Sequence, residues 1–188
     1  MFQFFNPVLL FVSATVIMTG CKSSKADQGC QTQIASGMQV CLQQVNEAQR
    51  ECYQNGGVEC SADNEAITAA LGQLGEVVAD SCEDNEIGLL SQEDLQARLQ
   101  ASCSSESSSL AWRSFGGVQG AAWQSANETE QECILLAHEL GTEVMNTSLQ
   151  SVFDCLADDS CDRSSVSRNN SSLINTLSLT CPTLDETI

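Results

Sequence analysis

The stretch CQTQIASGMQVCLQQVNEAQRECYQNGGVEC, residues Cys30 to Cys60, decides the fold. Its first three cysteines are eleven positions apart, which is about three helical turns, so they line one stripe of a helix. The run Asn55-Gly56-Gly57 then predicts the end of that helix. A helix that carries a cysteine just before its end, with Cys60 soon after the turn, indicates two antiparallel helices joined by a disulfide at their turn.

The cysteine spacings show this unit twice. They read C-x21-C-x7-C-x21-C from Cys30 to Cys82 and C-x21-C-x5-C-x19-C from Cys133 to Cys181. Each unit has two arms of similar length, about 30 Å each as helix, and a disulfide forms only between cysteines held at matching heights. Ten cysteines allow other connectivities. The arrangement that this geometry predicts is Cys52–Cys60, Cys30–Cys82, Cys155–Cys161 and Cys133–Cys181, with Cys41–Cys103 by elimination.

Composition favours helix throughout. The chain has 42% hydrophobic but only 5% aromatic residues and two prolines, and no segment alternates as a strand does. We therefore expect an all-α fold of two disulfide-stapled antiparallel helical hairpins plus one connecting helix, without substantial β-sheet. SCSSESSS (102–109) predicts a break between the halves. The expected segments are a first hairpin with a third helix over 30–103, a Ser/Gly-rich connection over 104–120, a second hairpin over 121–181 and a tail over 182–188.

Charge excludes one class of partner. Lys and Arg number 7 against 25 Asp and Glu, a formal charge of -18, so the surface repels phosphate backbones and nucleic acid is not expected to bind. No C-x-x-C motif is present, which removes the zinc-ribbon and haem-attachment spacings. We predict neither a cofactor nor a metal centre.

The N-terminal segment points to export. Val8 to Met18 is an apolar run with the length of a signal-peptide core, too short to span a bilayer. The following Met18-Thr19-Gly20-Cys21 resembles the lipobox of the bacterial lipoprotein class. That resemblance implies a signal peptide over 1–20, cleavage before Cys21, and acyl chains on the Cys21 sulfur and amine that bind membrane lipid.

Two further expectations follow from this start. Residues 21–29 would form a short flexible tether. Lys22 after Cys21 favours the outer membrane, where the envelope has one. Removing Cys21 from eleven cysteines leaves an even ten, as an oxidising compartment favours. The alternative is ordinary cleavage after Ala26, which releases a secreted protein.

Three aromatic residues stand near a glycine-rich turn. Trp112, Phe115 and Trp123 predict either a loop that binds a protein partner or, as the residues favour, packing between the two hairpins. Residues 83–94 weakly resemble a calcium loop with ligands Asn85, Ser91 and Asp94. Its first position lacks Asp and its fifth is apolar, so a turn and helix cap are the favoured interpretation.

These observations indicate a function class without naming a ligand. The leading hypothesis is a membrane-anchored, acidic, disulfide-rich lipoprotein that acts as a binding or structural module at the cell envelope. A secreted, non-lipidated effector-like protein is the alternative. An unrecognised hydrolase is a third, less favoured hypothesis, for which the single histidine, His138, is the best available base and would need carboxylates beside it in a cleft.

Overall fold

The computed structural model describes residues 25–60, 64–84, 87, 89–157 and 171–181. This part of the chain is helical and contains no strand, so the predicted all-α, disulfide-stapled fold is confirmed. The predicted signal peptide, Cys21 and the tail lie outside it. The helices in chain order are α1 (Lys25–Gln54), α2 (Glu65–Ser81), α3 (Gln92–Phe115), α4 (Ala121–Ser125), α5 (Glu128–Ala157) and α6 (Ser171–Thr180).

Helices α1 and α2 form the first hairpin. Cys30 near the start of α1 is bonded to Cys82 at the end of α2, and Cys52–Cys60 closes the turn between them. Helix α2 begins after Asn64, whose side chain accepts hydrogen bonds from two backbone N–H groups of the first turn. The preceding Ser61-Ala62-Asp63, which by residue type also predicts a helix start, lies outside the described residues.

Helix α3 packs on this hairpin and runs parallel to α1. Ser91 caps it as the sequence predicts, because its Oγ accepts the Asp94 N–H at 3.1 Å. The Cys41–Cys103 disulfide joins α3 to the middle of α1. The main apolar core lies among these three helices, with Val45, Leu74 and Val78 almost fully buried.

The predicted break at 102–109 is wrong, because α3 continues through the serine run to Phe115. The connection expected over 104–120 therefore shrinks to 116–120. Cys103, Ser107, Ala111 and Phe115, spaced four residues apart, are all buried. Small side chains at this spacing let α3 pack closely, and tertiary packing outweighs the modest helix propensity of serine.

The expected tether is also shorter than predicted. Helix α1 begins at Lys25, so the second half of the 21–29 segment is helical. The second hairpin, expected from 121 onward, also begins differently, because the short helix α4 ends at Ser125 and α5 begins at Glu128. There Asn127 and Glu130 each accept a hydrogen bond from the other's backbone N–H, a capping box that starts a new helix.

Helices α5 and α6 are joined by Cys133–Cys181. Cys155 is also disulfide-bonded, and its predicted partner Cys161 lies outside the described residues. Helix α5 runs antiparallel to α1. Gln39 in the middle of α1 donates to the Gln150 side chain in the second half of α5 at 2.8 Å, whereas His138, earlier in α5, lies against Phe115, which stacks on Tyr53 at the end of α1. The second hairpin thus packs along the first through α5.

Candidate functional site

Two loops meet at one end of the helices, and we call residues 55–60 and 116–120 the apical loops. The backbone N–H of Glu59 donates to the carbonyl of Val118 at 2.7 Å. The Tyr53 hydroxyl donates to the same carbonyl at 3.3 Å, and Cys52–Cys60 closes the first loop. Because each loop is bonded to the other and to α1, the two behave as one rigid surface.

An aromatic cluster supports the apical loops from below. The Tyr53 and Phe115 rings stack with centroids 4.6 Å apart, and Trp123 meets Phe115 edge-on at 5.9 Å. Gly120 has φ +63°, and a Cβ there would come within 2.8 Å of the Tyr53 ring. Burial raises the pKa of Tyr53, a shift that a hydrogen bond with the Cys60 backbone opposes, so the hydroxyl stays protonated and able to donate.

The structure separates the three aromatic residues that the sequence grouped together. Phe115 is fully buried and Trp123 half-buried, so both take the packing role that the sequence favoured. Trp112 is 59% exposed. Its indole lies against Gly117, where an added Cβ would stand 2.8 Å from Nε1.

Two more exposed apolar residues lie on the two apical loops. Val58 is 48% exposed and Val118 is 50% exposed. Val118 follows Gly117, against which the Trp112 indole lies, and Val58 precedes Glu59, whose N–H donates to the Val118 carbonyl. We call Trp112, Val58 and Val118 the apical patch. Sequence analysis missed the two valines, whose only signal is that each stands in a glycine-containing turn instead of a helix.

A second group of polar residues is buried between α1, α3 and α5. We call Asn46, Gln49, Ser107 and His138 the polar layer; each is at most 2% exposed. Gln49 donates to the Ser108 hydroxyl at 3.2 Å. Within the described chain, the Asn46 amide, Gln49 Oε1, Ser107 Oγ and His138 Nε2 make no hydrogen bond to protein groups.

Contacts on both sides locate the polar layer along α1 and α3. Cys41–Cys103 lies on one side of the layer and the Tyr53–Phe115 stack on the other, which fixes α1 against α3. The His138 ring lies 5.2 Å from the Phe115 ring, so the residue that α5 contributes to the polar layer lies next to the Tyr53–Phe115 stack. The sequence did not single out Asn46 or Gln49, because such residues on an acidic helix are ordinarily solvent-exposed.

Burial is the main influence on the charge state of His138. It lowers the pKa of the imidazole from 6.5 to about 4, helped by the Arg50 charge and opposed by Glu47. Arg50 and Glu47 are themselves ion-paired. His138 is therefore neutral near pH 7. It is buried inside the bundle, whereas the hydrolase hypothesis requires a histidine exposed in a cleft beside carboxylates.

The residues of the weak calcium candidate serve as helix caps where they are described. Ser91 Oγ donates to the Asp94 carboxylate at 2.8 Å and accepts from its N–H. Asp84 accepts from the Gln92 N–H at 2.8 Å, and Asn85 lies outside the described residues. In the described part of the chain, no three His, Cys, Asp or Glu side chains are grouped to hold a metal ion.

None of the described helices combines the length and apolar character needed to cross a bilayer. Comparisons of the chain with protein-family models, with curated proteins and with solved structures found no match.

Proposed function

We propose that the protein is an exported, lipid-anchored module of the cell envelope that binds a partner through its apical loops. The observation that carries this proposal is the state of the cysteines. All nine that the structure describes are disulfide-bonded, and such bridges form and persist in oxidising compartments outside the cytoplasm. A small helical bundle held by several bridges is suited to work there without a large core.

Lipid on Cys21 would place the anchor close to the bundle. Only residues 22–24 separate Cys21 from the first residue of α1, so little slack remains between the membrane and the helices. Cleavage after Ala26, the alternative, would remove the first two residues of α1.

The site geometry favours binding over catalysis. The polar layer that contains His138 is closed to solvent, whereas general acid–base catalysis needs a group within reach of a substrate. The apical patch has the opposite properties, since its apolar side chains are exposed on a rigid frame. Rigid exposed rings are common anchors in protein interfaces.

Intact mass of the protein purified from its own cells tests the anchor. We expect an acylated N-terminus at Cys21 and recovery with membranes. Cys21→Ser should abolish the added mass and the membrane association, whereas the matched control Ser23→Ala should keep both. A mature chain that begins at Asp27 without lipid would contradict the anchor and establish the secreted alternative.

Thiol titration of the denatured, unreduced protein tests export independently. We expect no free thiol from the nine described cysteines, because each is bonded. Reactive thiols at these positions in protein taken directly from cells would contradict residence in an oxidising compartment.

A further inference from the structure

We propose that the apical patch is a docking surface for a basic segment of a partner protein that also carries apolar side chains. This inference rests on the proposed function, because it names the partner class of the same binding module. Three features carry it: exposed apolar area, a rigid support, and the charge of the surrounding surface.

The apolar side chains of the apical patch are exposed to solvent at the end of α3 and on the apical loops. Trp112 is 59% exposed although it lies one turn from the fully buried Phe115, so the same helix end presents one ring to the core and one to solvent. Val58 and Val118 extend this apolar surface on the adjoining loops. Trp is among the residues that most often dominate interface energies, and it works best when neighbouring contacts exclude water.

The support of the patch lowers the entropic cost of binding. The Cys52–Cys60 bridge and the Glu59–Val118 hydrogen bond hold both apical loops, and the indole of Trp112 is seated on Gly117. A surface that is already ordered loses little conformational freedom when a partner binds, so more of the contact energy appears as affinity.

Charge complementarity selects the partner. The chain has a formal charge of -18. Glu51 is exposed just before the first apical loop and Glu59 is exposed within it. Burial raises the pKa of Glu106, and the charge of Arg113, next to Trp112, opposes that shift, so the Arg113 charge is partly offset by this carboxyl group. This potential repels a second copy of the chain and anionic surfaces, and it attracts Lys- or Arg-rich segments.

Position in the molecule favours a protein partner over the membrane. The patch lies at the C-terminal end of α1, whose 30 residues span about 45 Å. With lipid on Cys21 just before the other end of α1, the patch stands on the side of the bundle away from the membrane. It is then accessible to other envelope or extracellular proteins.

The test uses a fluorescently labelled synthetic peptide of lysine and leucine, titrated with the full oxidised protein and followed by anisotropy. Two twin peptides replace every lysine by glutamate or every leucine by serine. We expect saturable binding of the parent peptide alone. Trp112→Ala should weaken it by about tenfold or more, the loss typical of a central aromatic anchor, and Val118→Ser should weaken it less.

Val40→Ser is the matched control, because Val40 is similarly exposed, at 45%, on the side of α1. It should leave the dissociation constant unchanged. Absence of saturable binding, equal binding of the glutamate twin, or binding that Trp112→Ala leaves unchanged would each overturn the proposal. The test needs no lipid, so its failure is separable from failure of the anchor: an unlipidated N-terminus leaves the docking result standing.

Discussion

Protonation of His138 should weaken the fold as the pH falls below neutral. The imidazole has its pKa lowered from 6.5 to about 4, first by burial and then by the Arg50 charge. Between these two values the unfolded chain binds a proton that the folded chain refuses. Above about pH 6.5 the imidazole is neutral in both states and does not lower the free energy of unfolding. Between about pH 6.5 and 4 the free energy of unfolding decreases as the pH falls.

The magnitude follows from the two pKa values. Going from about pH 7.5 to about pH 5, the difference between 6.5 and about 4 for His138 corresponds to a loss of about 2 kcal/mol in the free energy of unfolding. Glu106, whose pKa burial raises, acts in the opposite direction, because its protonated form is favoured in the folded state. That contribution remains when His138→Gln removes the imidazole.

Urea unfolding of the oxidised protein, followed by far-UV circular dichroism at these two pH values, measures the effect. The wild type should lose about 2 kcal/mol more than His138→Gln on acidification, whatever the stabilities of the two proteins at the higher pH. Equal losses would refute the reasoning. The chain has a single histidine, so its imidazole resonances in an NMR titration give a direct check. Titration of the folded protein near pH 6.5 would likewise refute it.

Three other substitutions test particular supports of the fold. Gly120→Ala places a Cβ 2.8 Å from the Tyr53 ring at a positive φ, and should lower the free energy of unfolding, measured by thermal denaturation, by about 2 kcal/mol. Replacing both Cys41 and Cys103 by serine removes a bridge between residues 62 positions apart, and should lower the free energy of unfolding in urea by about 4 kcal/mol by the chain-entropy relation. The same change at Cys52 and Cys60, which are 8 positions apart, should lower it by about 2.5 kcal/mol. Asn64→Ala should cost about 1 kcal/mol as a lost N-cap, and Asn64→Ser should restore most of it; an unchanged Asn64→Ala midpoint would mean that the cap contributes nothing.

Cysteine spacing was the strongest predictor of this fold, for a geometric reason. A disulfide joins two helices only where their cysteines stand at the same height, so the equal spacings from Cys30 to Cys52 and from Cys60 to Cys82 predict two arms that match in length on either side of a turn. Local chemistry also predicted the cap at Ser91, because the capping interaction is complete within one helical turn.

Tertiary packing determined the features that the sequence did not predict. The serines of α3 favour a break when considered alone, and only the burial of Ser107 against neighbouring helices shows why the helix continues. Similarly, nothing in the spacing of Trp112 and Trp123 distinguishes the exposed ring from the half-buried one. That difference depends on which side of α3 and of α4 faces the other helices, and the packing of the whole bundle decides this.

The described disulfides leave open how α5 is held against the first three helices. The four described bridges close the α1–α2 turn or join α1 to α2, α1 to α3 and α5 to α6, and none of these four joins α5 to the first three helices. Side-chain contacts fix the register of α5 instead: Gln39 donates to the Gln150 side chain at 2.8 Å, and the His138 ring lies 5.2 Å from the Phe115 ring. The polar layer adds no hydrogen bond to this register, because Gln49 Oε1, Ser107 Oγ and His138 Nε2 make none to protein groups of the described chain, and each buried group left unpaired costs about 1–3 kcal/mol. Packing of His138 against Phe115 therefore connects α5 to the aromatic cluster that supports the apical loops.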